Sequence, residues 1–170
     1  MNLDLIRFRE TVATVFLGSG GRLGSYFRKF PPEFGLLINL FTGFLIGLGF
    51  ALTRRVPLLL VFLPFFLSGL TILWCFLFAG VAGLSFAEMR GTYSAFFGTS
   101  VFLLPAAIPF LGSGLLPILF LGWICVLART LAVQRRIPPG QVWIQLAVPP
   151  VVCLLLLRLA GLFLGKILAT

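Results

Sequence analysis

The chain contains five long apolar runs, separated by short segments that carry most of the charged residues. A helix needs about 20 apolar residues to cross a hydrocarbon core of about 30 Å, and each run is close to that length. A membrane-crossing segment must satisfy its own backbone hydrogen bonds, and the sequence lacks the alternation of a membrane barrel. We therefore predict an all-α integral membrane bundle of five transmembrane helices, at about 35–52, 58–83, 93–110, 115–133 and 142–168.

The composition supports this class. Of the 170 residues, 60% are hydrophobic and only 10% are charged, which lies far outside the range of soluble globular proteins. The net charge of +9 comes from basic residues in the gaps between apolar runs, where they face phospholipid headgroups. We predict the lipid bilayer as a partner and no binding of nucleic acid.

The first 34 residues form the only long polar stretch, which we interpret as a cytoplasmic or interfacial segment before a membrane domain at 35–170. Apolar and polar residues alternate there at helical spacing, which predicts an amphipathic helix lying in the interface. The glycine-rich segment 18–25 is then expected to be flexible. An aromatic and basic cluster follows and is predicted to anchor the chain at the headgroups, namely Tyr26, Phe27, Arg28 and Lys29.

The distribution of basic residues predicts the orientation. With five spans, nine Lys and Arg residues fall on the N-terminal side, against Arg54, Arg55 and Lys166 on the other side. Arg158 is left out because its depth decides which side it reaches. The positive-inside rule then places the N-terminus in the cytoplasm and the C-terminus outside.

The residues available for chemistry are few. The chain has no histidine and four acidic residues, so the usual zinc ligands, general bases and nucleophile-activating groups cannot be assembled. We predict that the protein is not an enzyme and uses no metal or cofactor. A membrane enzyme relying on Glu88, Arg90 and Tyr93 ranks last among the hypotheses.

Two polar gaps, LSFAEMRG and QRRIPPGQ, fall on the predicted cytoplasmic side and form a candidate docking face. The alternative is a pair of ordinary solvated turns whose charge only sets the topology. The candidate residues of this docking face are Ser85, Phe86, Glu88, Arg90, Arg135 and Arg136.

Arg158 is the candidate intramembrane polar site, because an arginine at the bilayer centre is disfavoured by about 2.5–3.5 kcal/mol on insertion scales. It snorkels to an interface, helped by a kink or break near Pro149 and Pro150, or pairs with a helix-end carbonyl. The alternative is that it binds a lipid headgroup or a partner. Gly43 and Gly47 form a small-xxx-small pair that predicts close helix packing, within the bundle or between two copies.

From Gly80 onward the order of features resembles the Yip family of Ypt/Rab-interacting membrane proteins and their bacterial relatives. The similarity rests on AGLSFAEMRGTYSAFFGTSVFLLPAAIPFLG, with Ser-Phe after a glycine, a Tyr-Ser pair and a proline inside the following span. It continues with a Trp-bearing fourth span, the turn AVQRRIPPGQ and a last span containing Pro149. The upstream LIRFRETVATVF, which precedes a Pro-Pro pair, is similar to the lead-in of short bacterial members.

This resemblance implies five spans, a cytoplasmic N-terminus and a multi-pass protein of a bacterial inner or plasma membrane. Eukaryotic members are linked to Rab GTPases, but the long cytosolic N-terminal domain is missing here, which argues against GTPase binding. We predict a non-enzymatic scaffold, membrane-organising factor or subunit of a larger assembly, with a membrane-protein partner or a second copy bound. The alternative is a permease or lipid-handling component that uses kinked helices and Arg158.

Overall fold

The structure is a computed structural model that describes the backbone of residues 2–18, 20–54 and 56–168. Within this part, side chains are described except at 2–5, 20–21, 54, 87, 113, 153–154, 156–157 and 159–168. The described chain is all-helical, with seven α-helices and one 3₁₀ helix. The helices are α1 (Asn2–Leu17), α2 (Gly20–Arg28), α3 (Pro32–Arg54), α4 (Leu58–Ala82), α5 (Phe86–Thr99), the 3₁₀ helix (Ser100–Ala107), α6 (Gly112–Arg135) and α7 (Pro139–Leu168).

Three helices in the described part are long and apolar enough to cross a membrane: α3, α4 and α6. They correspond to the predicted spans at 35–52, 58–83 and 115–133. Pro32 opens α3, where the missing N–H of a proline leaves no helical hydrogen bond unmade. Membrane-spanning length is therefore established for three of the five predicted helices.

The third predicted span, 93–110, is not one α-helix. Its first half belongs to α5, which begins at Phe86, and its second half forms the 3₁₀ helix and a turn. Pro105 lies inside the 3₁₀ helix, and in an α-helix its ring would clash with the carbonyl four residues earlier. Helix α3 also lies very close to this segment. A Cβ at Gly49 would lie only 2.1 Å from the Ala107 carbonyl oxygen.

The centre of the bundle is formed by α5. It packs against α2, α3, α4 and α6, and every side chain from residue 94 to residue 101 is buried. The hydroxyl groups there bond to helix backbone: Thr99 Oγ1 donates to the Ala95 carbonyl at 2.6 Å and accepts from Trp123 Nε1 at 3.0 Å. Because each of these polar groups has a partner, the small residues of α5 can occupy an apolar core.

Helix α7 continues through Pro149 and Pro150, so of the kink or break predicted there, the break is wrong. A proline donates no backbone hydrogen bond, and at position 150 this leaves the Leu146 carbonyl without its helical partner. Trp74 of α4 supplies the replacement, with its indole Nε1 donating to Leu146 O at 3.1 Å. This bond connects α4 to α7 at the point where the helix lacks a donor.

The glycine-rich segment expected to be flexible is mostly helical, since it belongs to α2. Leu23 is buried there, and Gly24 approaches Val133 of α6 so closely that a Cβ would lie 2.5 Å from its Cγ1. The packing of α2 against α6 outweighs the low helix propensity of glycine.

The first helix packs on the side of the bundle. Phe8 meets Phe41 edge-on, with ring centroids 5.3 Å apart, and Phe16 stacks on Phe102 at 5.2 Å. These partners lie well inside α3 and the 3₁₀ helix. Thr11, which the sequence pattern assigned to the polar face of α1, is fully buried, and its hydroxyl lies 2.9 Å from that of Tyr26.

A close helix contact joins α3 to α4 through the predicted glycine pair. A Cβ at Gly43 would lie 2.7 Å from Pro64 Cα, and one at Gly47 would lie 2.7 Å from the Leu59 carbonyl oxygen. Only a residue without a side chain permits this approach of two backbones. The prediction of close packing is confirmed, and the contact is within the bundle.

We expect Gly43→Ala to destabilise the bundle by about 1–3 kcal/mol, because the new methyl group overlaps the α4 backbone. The matched control is Gly69→Ala in α4, where an added Cβ has no heavy atom within 4 Å. Thermal unfolding in mild detergent measures the difference. Equal stability of the two variants would contradict the close contact between α3 and α4.

Candidate docking face

Several helix termini lie together at one end of the bundle, where Arg28 Nη2 donates to the Gln134 carbonyl, Gln134 Nε2 to the Gly91 carbonyl and Arg135 Nη2 to the Ala82 carbonyl. The ends of α2, α4 and α6 and the beginnings of α3, α5 and α7 meet there. The predicted docking face consists of residues from the α4–α5 and α6–α7 connections at this end. We keep the name docking face for the set Ser85, Phe86, Glu88, Arg90, Arg135 and Arg136.

The turn between α4 and α5 is closed by local hydrogen bonds. Gly83 takes the left-handed conformation with φ of 61°, and the Leu84 amide donates to the Ala79 carbonyl at 3.0 Å. Ser85 and Glu88 then form a capping box at the start of α5, in which Glu88 Oε2 accepts from the Ser85 amide at 3.0 Å and from the Ser85 hydroxyl at 2.6 Å. The turn is thereby fixed in one conformation.

The bonds from Ser85 also favour the ionised form of Glu88. They lower the pKa of this carboxyl group below its ordinary value, first through the side-chain bond and then through the backbone bond. The positive charge of Arg135 lowers the pKa further, although less than Ser85 does. Glu88 is a carboxylate at neutral pH, and its negative charge interacts favourably with the N-terminus of α5.

Arg135 connects three helices at this end. Its Nη1 donates to Gln145 Oε1 of α7 at 2.7 Å, and its Nη2 donates to the Ala82 carbonyl at the end of α4 at 3.2 Å. The guanidinium carbon also lies 5.9 Å from the centre of the Phe78 ring, within reach of a cation–π contact. Ser85, Glu88 and Arg135 are thus brought together, and all of them are engaged by the protein itself.

The other three residues of the docking face point outward. Phe86 is 92% exposed on the first turn of α5, and Arg90 is exposed one turn further along. Arg136 ends α6 in the left-handed conformation, with φ of 55°, and is also exposed. These are the side chains that a partner would meet.

The predicted headgroup anchors occupy different environments. Phe27 is fully buried, and a Cβ on the facing Gly98 would lie 2.1 Å from its ring, so this side chain packs within the protein. Tyr26 is half-buried with its hydroxyl against Thr11. Arg28 and Lys29 are exposed, and Arg28 Nη2 donates to the Gln134 carbonyl at the end of α6 at 2.8 Å.

Several polar residues at helix contacts were not identified from the sequence. Gln145 and Gln134 are two of them, and their side chains form hydrogen bonds at the docking-face end of the bundle. The capping box at the start of α5 could have been recognised in the sequence from its S-x-x-E spacing. In the interior, Ser68 Oγ donates to Asn39 Oδ1 at 2.7 Å, while Asn39 Nδ2 and Thr42 Oγ1 have no partner among the described residues. Asn39 could have been identified from the sequence, because it is a lone asparagine inside an apolar run.

Arg158 lies on the outer surface of α7. Its side chain is exposed, as are those of Val151 and Leu155, which share the same face of the helix at helical spacing. It is 19 residues beyond Pro139, or about 28 Å along the helix, which is close to the thickness of a hydrocarbon core. The side chain does not line the interior of the described bundle.

Within the described residues, no group of three or more His, Cys, Asp or Glu side chains could hold a metal ion. Cys75 is buried and Cys125 is exposed, each as a free thiol. Comparisons of the chain with protein-family models, curated proteins and solved structures found no match. The resemblance to the Yip family therefore stays a prediction.

We expect Arg135→Met to destabilise the bundle by about 1.5–3 kcal/mol, because it removes donors from Gln145 Oε1 and from the Ala82 carbonyl. Arg136→Met removes the same charge at an exposed neighbouring position and should change the stability by less than about 0.5 kcal/mol. Thermal unfolding in detergent measures both variants. If Arg136→Met lowered the stability as much as Arg135→Met does, the loss of net charge and not the three-helix contact would account for the destabilisation.

Proposed function

We propose that this protein is a non-enzymatic membrane protein of the Yip type that crosses the bilayer five times and binds a membrane-protein partner through its docking face. In this role it serves as a scaffold, a membrane-organising factor or a subunit of a larger assembly. The proposal depends most on one observation, the exposure of Phe86 on a turn that the rest of the bundle holds rigid.

Phe86 has the properties of a binding anchor. A large aromatic side chain that is 92% exposed leaves apolar area in water unless another surface covers it. The capping box on one side and the Arg135 contact to Ala82 on the other fix the turn, so binding would lose little conformational entropy. Arg90 and Arg136 add exposed positive charge, and aromatic and arginine side chains are enriched in binding hot spots.

The lengths of the remaining helices support five spans. Helix α5 has 14 residues and the 3₁₀ helix has 8, which together correspond to about 37 Å if they continue in one direction. The 30 residues of α7 correspond to about 45 Å. Both exceed the roughly 30 Å of a hydrocarbon core.

The distribution of charge supports a cytoplasmic N-terminus. Arg28, Lys29, Arg90, Arg135 and Arg136 all belong to the end of the bundle that carries the docking face. The opposite end has Arg54 at the close of α3, followed in the sequence by Arg55. This asymmetry favours the docking face as the cytoplasmic side.

The rival functions have less support. A permease that conducts its substrate past Arg158 needs that side chain inside the bundle, whereas it lies on the outer surface with Val151 and Leu155. An enzyme relying on Glu88 needs a free carboxylate, whereas both Ser85 donors bind it to cap α5. Neither arrangement favours transport or catalysis.

The five-span arrangement predicts which positions can be labelled from each side. After replacement of Cys75, Cys125 and Cys153, we expect Ser85→Cys and Ile137→Cys to react with an impermeant maleimide only from the cytoplasm. Val56→Cys and Leu111→Cys should react only from outside, as should a cysteine after Thr170. A C-terminal cysteine labelled from the cytoplasm would contradict an odd number of spans.

The docking role is tested by a photo-crosslinking phenylalanine analogue at position 86, irradiated in native membranes. We expect one discrete protein adduct, lost when Arg90 and Arg136 are replaced by Ala. The matched control carries the analogue at Phe65, which is 68% exposed on α4 and should crosslink lipid. Lipid adducts alone at position 86 would mean that Phe86 is an interfacial anchor and would overturn the proposal.

A further inference from the structure

Charge in α1 is segregated along the helix instead of around it. All of its charged residues lie before residue 11, namely Asp4, Arg7, Arg9 and Glu10. From residue 11 to the end of the helix there is no charge, and two large apolar side chains are exposed there, Phe16 at 42% and Leu17 at 86%. A helix that lies flat in the membrane interface carries its charged face along its whole length. The second half of α1 lacks such a face.

The uncharged end of α1 lies against the middle of the bundle. Phe16 stacks on Phe102 of the 3₁₀ helix, with ring centroids 5.2 Å apart. Phe102 packs in turn on Gly122 of α6, where a Cβ would lie 2.5 Å from its ring. Gly122 precedes the end of α6 at Arg135 by a length of helix of about 20 Å. Half of a hydrocarbon core is about 15 Å thick, so Phe16 lies at the depth of the acyl chains when α6 crosses the bilayer.

Helix α2 returns from this depth to the docking-face end of the bundle. A Cβ at Gly24 would lie 2.5 Å from Cγ1 of Val133, in the last turn of α6. Arg28 Nη2 donates to the Gln134 carbonyl at the same end at 2.8 Å. Arg22 is exposed and lies about 3 Å along α2 from Gly24, so its long side chain can extend to the headgroups.

The charged half of α1 lies beside the last turn of α2. The Tyr26 hydroxyl lies 2.9 Å from that of Thr11 and donates to the Arg7 carbonyl at 3.5 Å. Arg7 is therefore held closer to the docking-face end than Phe16 is. Thr11 and Val15 bury one side of α1 against the protein, and this leaves the opposite side, with Phe16, open to the surroundings.

We propose that α1 and α2 form a re-entrant hairpin, whose apolar end at Phe16 and Leu17 inserts among the acyl chains of the leaflet on the docking-face side. Burial of exposed apolar area in the hydrocarbon stabilises this position. The inference rests on the membrane crossing of α3 and α6 in the proposed function, and it is independent of any partner at the docking face. The hairpin differs from the helix lying in the interface that the sequence predicts.

The depth of α1 is measured with a nitroxide spin label on the full chain in phosphatidylcholine vesicles, after replacement of Cys75, Cys125 and Cys153. The label is attached to Leu17→Cys or to Arg9→Cys, both at exposed positions of α1. Collisions with oxygen, which dissolves in hydrocarbon, and with a water-soluble nickel complex give the depth of each label. We expect the label at position 17 to lie about 5–12 Å deeper, because the two positions are about 12 Å apart along α1. Equal depths would mean a helix lying flat in the interface and would overturn the hairpin.

A label at Phe65→Cys is the reference for contact with acyl chains, because Phe65 is 68% exposed on α4. If the nickel complex reached this reference label, the membrane crossing of the proposed function would fail together with the hairpin. If it reached the label at position 17 while the reference stayed shielded, only the hairpin would be wrong. A label at position 17 that meets neither oxygen nor nickel would be covered by protein, which also contradicts insertion among lipids.

Crosslinking in native membranes tests the same position by a second route. In the chain without its own cysteines, Phe16→Cys combined with Phe102→Cys should be joined by a short, membrane-permeant bismaleimide, since the two rings are stacked. The matched control, Arg9→Cys combined with Phe102→Cys, should not be joined. Circular dichroism establishes that each variant is folded. Equal crosslinking of the two pairs, or none in the first pair, would contradict the position of α1 against the 3₁₀ helix and with it the hairpin.

Discussion

Backbone polar groups inside an apolar bundle must find partners within the protein, and this requirement explains the contacts that join the helices. Where Pro150 interrupts the hydrogen bonding of α7, the Trp74 indole donates to the Leu146 carbonyl, which lacks its helical partner, at 3.1 Å. Where α4 ends, Arg135 donates to the Ala82 carbonyl. Where the chain turns after the 3₁₀ helix, Thr53 Oγ1 accepts from the Phe110 amide at 3.0 Å. At these three places an irregularity of one helix is matched by a side chain of another.

The two ends of the bundle differ in how they use their polar residues. At the docking face, capping bonds and Arg135 fix the turns and leave Phe86, Arg90 and Arg136 exposed on a rigid support. Near the other end, α3, α4, the 3₁₀ helix and α6 line an open apolar pocket with no polar side chain in its wall.

The sequence predicted the candidate residues of the docking face because turn positions follow from where the apolar runs end. It did not predict which of those residues would be available to a partner. Glu88 and Arg135 are charged in the sequence, as Arg90 and Arg136 are. The structure engages Glu88 in the cap of α5 and Arg135 in bonds to α4 and α7, whereas Arg90 and Arg136 are exposed and belong to no such contact among the described residues. Similarly, Phe27 belongs to an aromatic and basic cluster typical of headgroup anchors, but contact with Gly98 buries it.

The sequence by itself determined the helical class, the membrane-crossing length of α3, α4 and α6, and the Gly43–Gly47 contact, because apolar run length and residue size act locally. Tertiary structure alone decided that residues 20–25 of the glycine-rich segment are helical, that 100–107 is a 3₁₀ helix and that α7 continues through two prolines. These outcomes depend on partners distant in the chain, such as Val133 for Gly24 and Trp74 for Leu146. Local propensity is weak, and such contacts outweigh it wherever a neighbouring helix supplies the missing packing or hydrogen bond.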